Sequence, residues 1–135
     1  MTESIAAQPQ PARWVLWTGR VLSAIPFLMM LLSAAMKITR NAAVVATWNS
    51  QFGFPFGALE AIGIIEAVCA ILYIIPRTAV LGAILVTGYL GGAVATHTRM
   101  SDPALIAPFI LGVMAWAGLY LREPRLHSLL PLRKG

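Results

Sequence analysis

Read by polarity, the chain separates into four long apolar stretches, roughly Trp14–Met36, Pro55–Ile75, Thr78–Thr96 and Ala104–Leu121, divided by polar links. Apolar residues are massed within each stretch, without the period of 2 or 3.6 that marks a half-solvated strand or helix. Each stretch is close to the ~20 residues that carry an α-helix across a ~30 Å hydrocarbon layer. Backbone groups in lipid must be bonded within their own segment, so helices are the elements predicted. The link Ile75-Pro76-Arg77-Thr78 reads as a tight turn, because proline cannot continue a helix and biases its predecessor away from helical geometry. The second and third stretches therefore form an antiparallel hairpin, and the short link Thr98–Pro103 makes the third and fourth neighbours. Only Lys37–Phe54 is long enough to hold structure of its own, and its Trp48, Phe52 and Phe54 predict a segment lying at the interface. The expected architecture is all-α, an antiparallel four-helix bundle spanning a membrane over residues 14–121. A disordered tail is expected over 1–13 and a basic tail over 122–135.

Composition agrees with the pattern. The chain is 59% hydrophobic and 11% charged, whereas soluble domains carry about 25% charged residues. Ten Lys and Arg against five Asp and Glu give a net charge of +5. The bases sit at the ends of the apolar stretches, where insertion rules and anionic headgroups account for them. No basic stripe with interleaved aromatics is present, so nucleic acid is excluded as a partner and the lipid bilayer is the partner implied. Four spans place Arg13, Arg20, Arg77, Arg122, Arg125, Arg133 and Lys134 on one side and Lys37, Arg40 and Arg99 on the other. The positive-inside rule then puts both termini in the cytoplasm, with Trp14, Trp17, Tyr73, Trp116 and Tyr120 as a cytoplasmic aromatic belt. Arg13, Arg20 and Ser33-Ala34-Ala35 also match a signal peptide and its cleavage site, but the apolar stretch between them is long for that purpose. Cys69 is the single cysteine. It can form no internal disulfide, which argues against thiol–disulfide chemistry by this chain's own residues.

The informative residues are the polar ones inside the apolar stretches. An ionisable side chain at mid-membrane costs about 2.5–3.5 kcal/mol on insertion scales and needs a partner or a cavity. Glu66 lies roughly 14 Å inside the cytoplasmic end of the second stretch, and Glu60 roughly 8 Å inside the opposite end, at 1.5 Å per residue. Depth counting brings Glu66 level with Ser23, Thr87, Gly88 and Tyr89, and within reach of Arg20. Glu66, Arg20 and Tyr89 thus form one expected buried cluster, either an ion-paired group that fixes helix pairing or a ligand site. Glu60, Lys37 and His97, with Arg99 close by, form a second, outward-facing cluster. His127 falls in the tail, so no second membrane histidine completes a bis-histidine haem, and no metal or catalytic set is predicted. Small residues mark the expected helix contacts: Gly88 and Gly92 in a G-x-x-x-G, and Gly63 with Ala67.

Several of these stretches resemble one family. The run PRTAVLGAILVTGYLGGAVATHTR, the W-x-GLYLR at Trp116–Arg122 and the ending RLHSLLPLR resemble the DoxX-like family of small bacterial membrane proteins. The segment MKITRNAAVVATWNSQFGFP, followed by IG-x-x-E at Ile62–Glu66, is similar to that family's first half, so the resemblance covers nearly all of the chain after the polar tail. It implies a four-helix architecture in a bacterial inner membrane. The founding DoxX proteins are associated with a thiosulfate:quinone oxidoreductase, and other relatives with redox complexes or with chaperoning of membrane receptors. The family's recurring polar positions correspond here to Lys37, Glu66, Tyr89, His97 and Arg99, and no catalytic role comes with them.

Three functions fit these residues. The first is a non-catalytic membrane subunit or assembly factor, associating with a membrane protein partner or with its own kind. The second is a quinone-binding subunit of a redox complex, whose electron carrier would belong to a partner; the chain itself is otherwise expected to hold no cofactor. The third, a proton-coupled transporter, fits least well, because both membrane carboxylates lie in the second helix and not in the first.

Overall fold

A computed structural model of the chain describes residues 9–133. The expected tail over 1–8 lies outside the described residues, as does Lys134. The described residues form helices and connecting turns, with no strand among them. Helix α1 spans Arg13–Ile38, α2 Ala42–Trp48, α3 Ala58–Ile74, α4 Ala79–Arg99 and α5 Ile106–Arg122. Short 3-10 turns at Pro103–Leu105 and Pro124–Ser128 precede and follow α5. The predicted apolar stretches thus recur as α1, α3, α4 and α5, with ends displaced by a few residues. Three segments are long and apolar enough to cross a membrane: α1, α4, and α5 together with the turn before it. Helix α3 is more apolar than any of these but has 17 residues, about 26 Å of rise.

The long helices pack side by side, α1 against α3 and α5, and α4 against α3 and α5. One pole, the tail pole, gathers the start of α1, the end of α3, the start of α4 and the end of α5. The opposite loop pole carries α2 and the aromatic connection to α3. At the loop pole Asn41 caps α2 by accepting from the Ala43 N–H, and Asp102 caps the turn before α5 by accepting from the Ala104 N–H at 2.9 Å.

Burial runs opposite to that of a water-soluble protein. Leu28, Leu32, Ile65, Ile84, Phe109 and Val113 are all more than half exposed, while Ala34, Ala70, Ala83 and Ala115 are fully enclosed. Outward Leu, Ile and Phe against inward small residues is the distribution expected where the solvent is hydrocarbon and helices associate through close packing. Gly82 is the tightest of these contacts. A Cβ built there would stand 2.2 Å from the Tyr73 backbone nitrogen, so α3 and α4 touch backbone to backbone just past the Pro76 turn. The expected G-x-x-x-G contact is not formed: a Cβ at Gly88 or at Gly92 would meet nothing within 4 Å. Both glycines are exposed. Gly63 does mark a contact, its missing Cβ leaving room for Lys37 Cβ and the Ala34 carbonyl of α1. Ala67, one turn on, is half-buried.

Candidate functional site

Glu66 is the most enclosed charged side chain of the described residues, 3% exposed. Its partner is Lys37 and not Arg20. The Lys37 ammonium donates to Glu66 Oε2 at 2.8 Å and to Ser33 Oγ at 2.5 Å, and Ser33 Oγ donates to the same carboxylate oxygen at 3.3 Å. Local geometry explains the triad. Ser33 and Lys37 are four residues apart and share a face of α1, while Gly63 and Glu66 are three apart and share a face of α3. Gly63 lets the two backbones approach, and this brings the short Glu66 side chain within reach of Lys37.

Arg20 is exposed, with its guanidinium 5.2 Å from the Trp17 ring centre. It lies roughly 20 Å along α1 from Ser33. The predicted Glu66–Arg20 pairing fails because α1 overhangs α3. Tyr73, next to last in α3, is level with Ser23 and bonded to it, so the first ten or so residues of α1 run past the end of α3. Depth counted from a common starting plane therefore aligned Glu66 with the wrong part of α1.

The expected outer cluster also regroups. Glu60 accepts from Arg40 Nε at 2.7 Å, an exposed pair. His97 Nδ1 lies 2.8 Å from Asp102 Oδ2, and Arg99 donates to the Phe52 carbonyl. Thus Glu60, Lys37 and His97 are divided among three different partners. Sequence reasoning missed Ser33, Arg40 and Asp102. The four-residue spacing of Ser33 and Lys37 was a usable signal, whereas the partners of Glu60 and His97 depend on how the loop pole folds. The Asp102 carboxyl is held below its ordinary range by the Ala104 backbone N–H and then by His97.

A cavity of about 580 Å³ lies between α1, α3, α4 and α5 on the loop-pole side. Lys37, Glu66, Tyr89 and His97, predicted to belong to two clusters, all line it, and Ser33 lines it with them. Gly92 is in its wall, so the glycine read as a packing contact instead leaves space. The remaining wall is largely apolar. Trp48, Phe52 and Phe54 close the loop-pole end. Trp48 is fixed by donating from Nε1 to the Pro55 carbonyl at 3.0 Å, and Phe52 meets the His97 ring edge-on at 5.4 Å. The segment predicted to lie at the interface thus forms the cover of the cavity. Cys69 is buried and free. Among the described residues no group of three or more His, Cys, Asp or Glu side chains converges.

A second polar network lies near the tail pole. Tyr73 Oη donates to the Ala115 carbonyl at 2.7 Å and stands 2.9 Å from Ser23 Oγ. Arg122 donates from Nε to Ser23 Oγ and from Nη2 to the Tyr73 carbonyl, both at 3.0 Å. Tyr73 is 1% exposed, which corrects its expected place in an interfacial belt; Trp14 and Trp17 are the exposed aromatics of that pole.

Compared with known sequences, residues 21–118 match the model of the DoxX-like family. No curated protein and no solved structure matches the chain.

Proposed function

The chain belongs to the DoxX-like family of membrane proteins, and from that premise we propose that it is a four-helix inner-membrane protein that binds a quinone in the cavity beside Glu66, as a subunit of a membrane redox complex. The observation that carries this reading is the cavity itself. Its volume of about 580 Å³ lies in the range of small-molecule sites, about 300–1,000 Å³. Apolar walls with a few polar groups disfavour sugars and nucleotides and suit an amphipathic molecule with a flat head. A quinone head presents two carbonyl acceptors, and the Lys37 ammonium and the Tyr89 hydroxyl are donors in the wall. Trp48, Phe52 and His97 supply ring surfaces for stacking. With both termini in the cytoplasm, the cavity opens in the outer half of the bilayer, where an isoprenoid tail can leave through lipid.

Equilibrium titration of the purified chain in nanodiscs with a short-chain ubiquinone tests the proposal. Saturable one-to-one binding is expected, weakened roughly fivefold by Tyr89→Phe, the equivalent of one hydrogen bond of about 1 kcal/mol. Linear uptake indistinguishable from that of Ala93→Trp, which fills the cavity, would reject it.

A second reading, a non-catalytic subunit or assembly factor, is favoured by one feature. Lys37 and Glu66 satisfy each other across α1 and α3, as a pair that fixes helix register would. On this reading Ala93→Trp leaves assembly with its partner intact and Glu66→Gln weakens it.

A further inference from the structure

The tail pole holds a second recess, of about 320 Å³, where α1 meets the ends of α3 and α5 and the start of α4. Leu16, Ile74 and Leu119 make its apolar walls, and Arg20 and Arg122 are its two cations. Arg122 is held from behind. Two of its nitrogens are committed to Ser23 and to the Tyr73 carbonyl, both residues 1% exposed, and its guanidinium lies 5.1 Å from the Tyr73 ring centre. The third nitrogen, Nη1, has no protein partner among the described residues. The Arg20 side chain, steadied over Trp17, makes no hydrogen bond or ion pair among them. The one acid of the recess, Glu123, turns toward Arg125: it accepts from the Arg125 backbone N–H at 3.3 Å and stands 3.9 Å from Arg125 Nε.

Two guanidinium groups with free N–H donors, one of them pre-positioned by buried partners, are suited to a tetrahedral oxyanion, since arginine donates in pairs to phosphate oxygens. The setting selects its source. The walls are hydrocarbon, and the exposed Trp14 and Trp17 put this level of α1 at the headgroup layer, where such rings concentrate. We propose that this recess binds the phosphate of an anionic phospholipid, held by Arg20 and Arg122, with the glycerol and first methylenes against Leu16, Ile74 and Leu119. Basic pockets between membrane helices are suited to such headgroups. A zwitterionic lipid is disfavoured because its own cation would face Arg20. The site stands at the opposite pole from the quinone cavity and does not depend on it.

Native mass spectrometry of the full chain in detergent, with phosphatidylglycerol and phosphatidylcholine at equal concentration, provides the test. Phosphatidylglycerol is expected to be retained over phosphatidylcholine, and Arg20→Gln to lower its retention roughly fivefold, the worth of one interfacial arginine. Arg125→Gln removes the same charge at the same pole from a 92% exposed side chain and is expected to leave retention unchanged. Equal losses in the two variants, or equal retention of the two lipids, would overturn the proposal. An Arg20-dependent rise in melting temperature with millimolar inorganic phosphate, in a protein that retains no phosphatidylglycerol, would overturn the lipid as the source.

Discussion

Lys37 shows how far a single residue's role depends on its neighbour. Near the end of α1 it reads as an interfacial base, yet its side chain is 13% exposed and reaches inward to a carboxylate 4% exposed. Removing one partner leaves the other charge enclosed without compensation, which costs about 3 kcal/mol or more, while removing both is far milder. In a double-mutant cycle followed by unfolding in mixed micelles, Lys37→Met and Glu66→Leu are each expected to destabilise strongly, and the double variant less than either. Single variants that lose under about 1 kcal/mol would show that the pair is solvated through the cavity. That Glu66 needed an inward partner was legible from its place in an apolar run. Which base would serve was not, because Lys37 and Arg20 are equally charged and only the offset of α1 against α3 separates them.

At the scale of elements, helix positions follow directly from the apolar pattern, because length and hydrophobicity alone decide whether a segment crosses a bilayer. Helix faces do not. The G-x-x-x-G of Gly88 and Gly92 has the form of a contact, but α3 meets α4 at Gly82, where the Pro76 turn brings the two helices of the hairpin together. Gly82→Ala puts a methyl group into the backbone around Tyr73 and is expected to lower the melting temperature sharply or to prevent folding. Gly88→Ala enters open space and is expected to stabilise by about 0.5–1 kcal/mol through reduced chain entropy. Melting curves of the two variants in one detergent check both; the reverse order would mean that Gly88 and not Gly82 carries the contact. Helix α2 is the other element the pattern left undefined. Its seven residues are too few to nucleate alone, and they are held by the Trp48 and Phe54 packing over the cavity.

For the whole molecule, the four-span reading requires both termini on the same side. Reporter fusions at each end are expected to give an active cytoplasmic reporter and an inactive periplasmic one, and opposite results at the two ends would leave α3, with its 17 residues, short of a crossing. The sequence by itself determined the solvent, the helices and their order, and the presence of costly polar groups that had to be matched. These follow from local composition, since lipid acts on each segment separately. The tertiary structure alone decided that Lys37, Glu66, Tyr89 and His97 share one cavity, that Phe52 and Trp48 cover it, and that Arg122 is anchored beside Arg20. Those groupings depend on the longitudinal offset and rotation of each helix against its neighbours, which close approach at Gly63 and Gly82 sets and which a hydrophobic run, being nearly uniform along its length, does not specify.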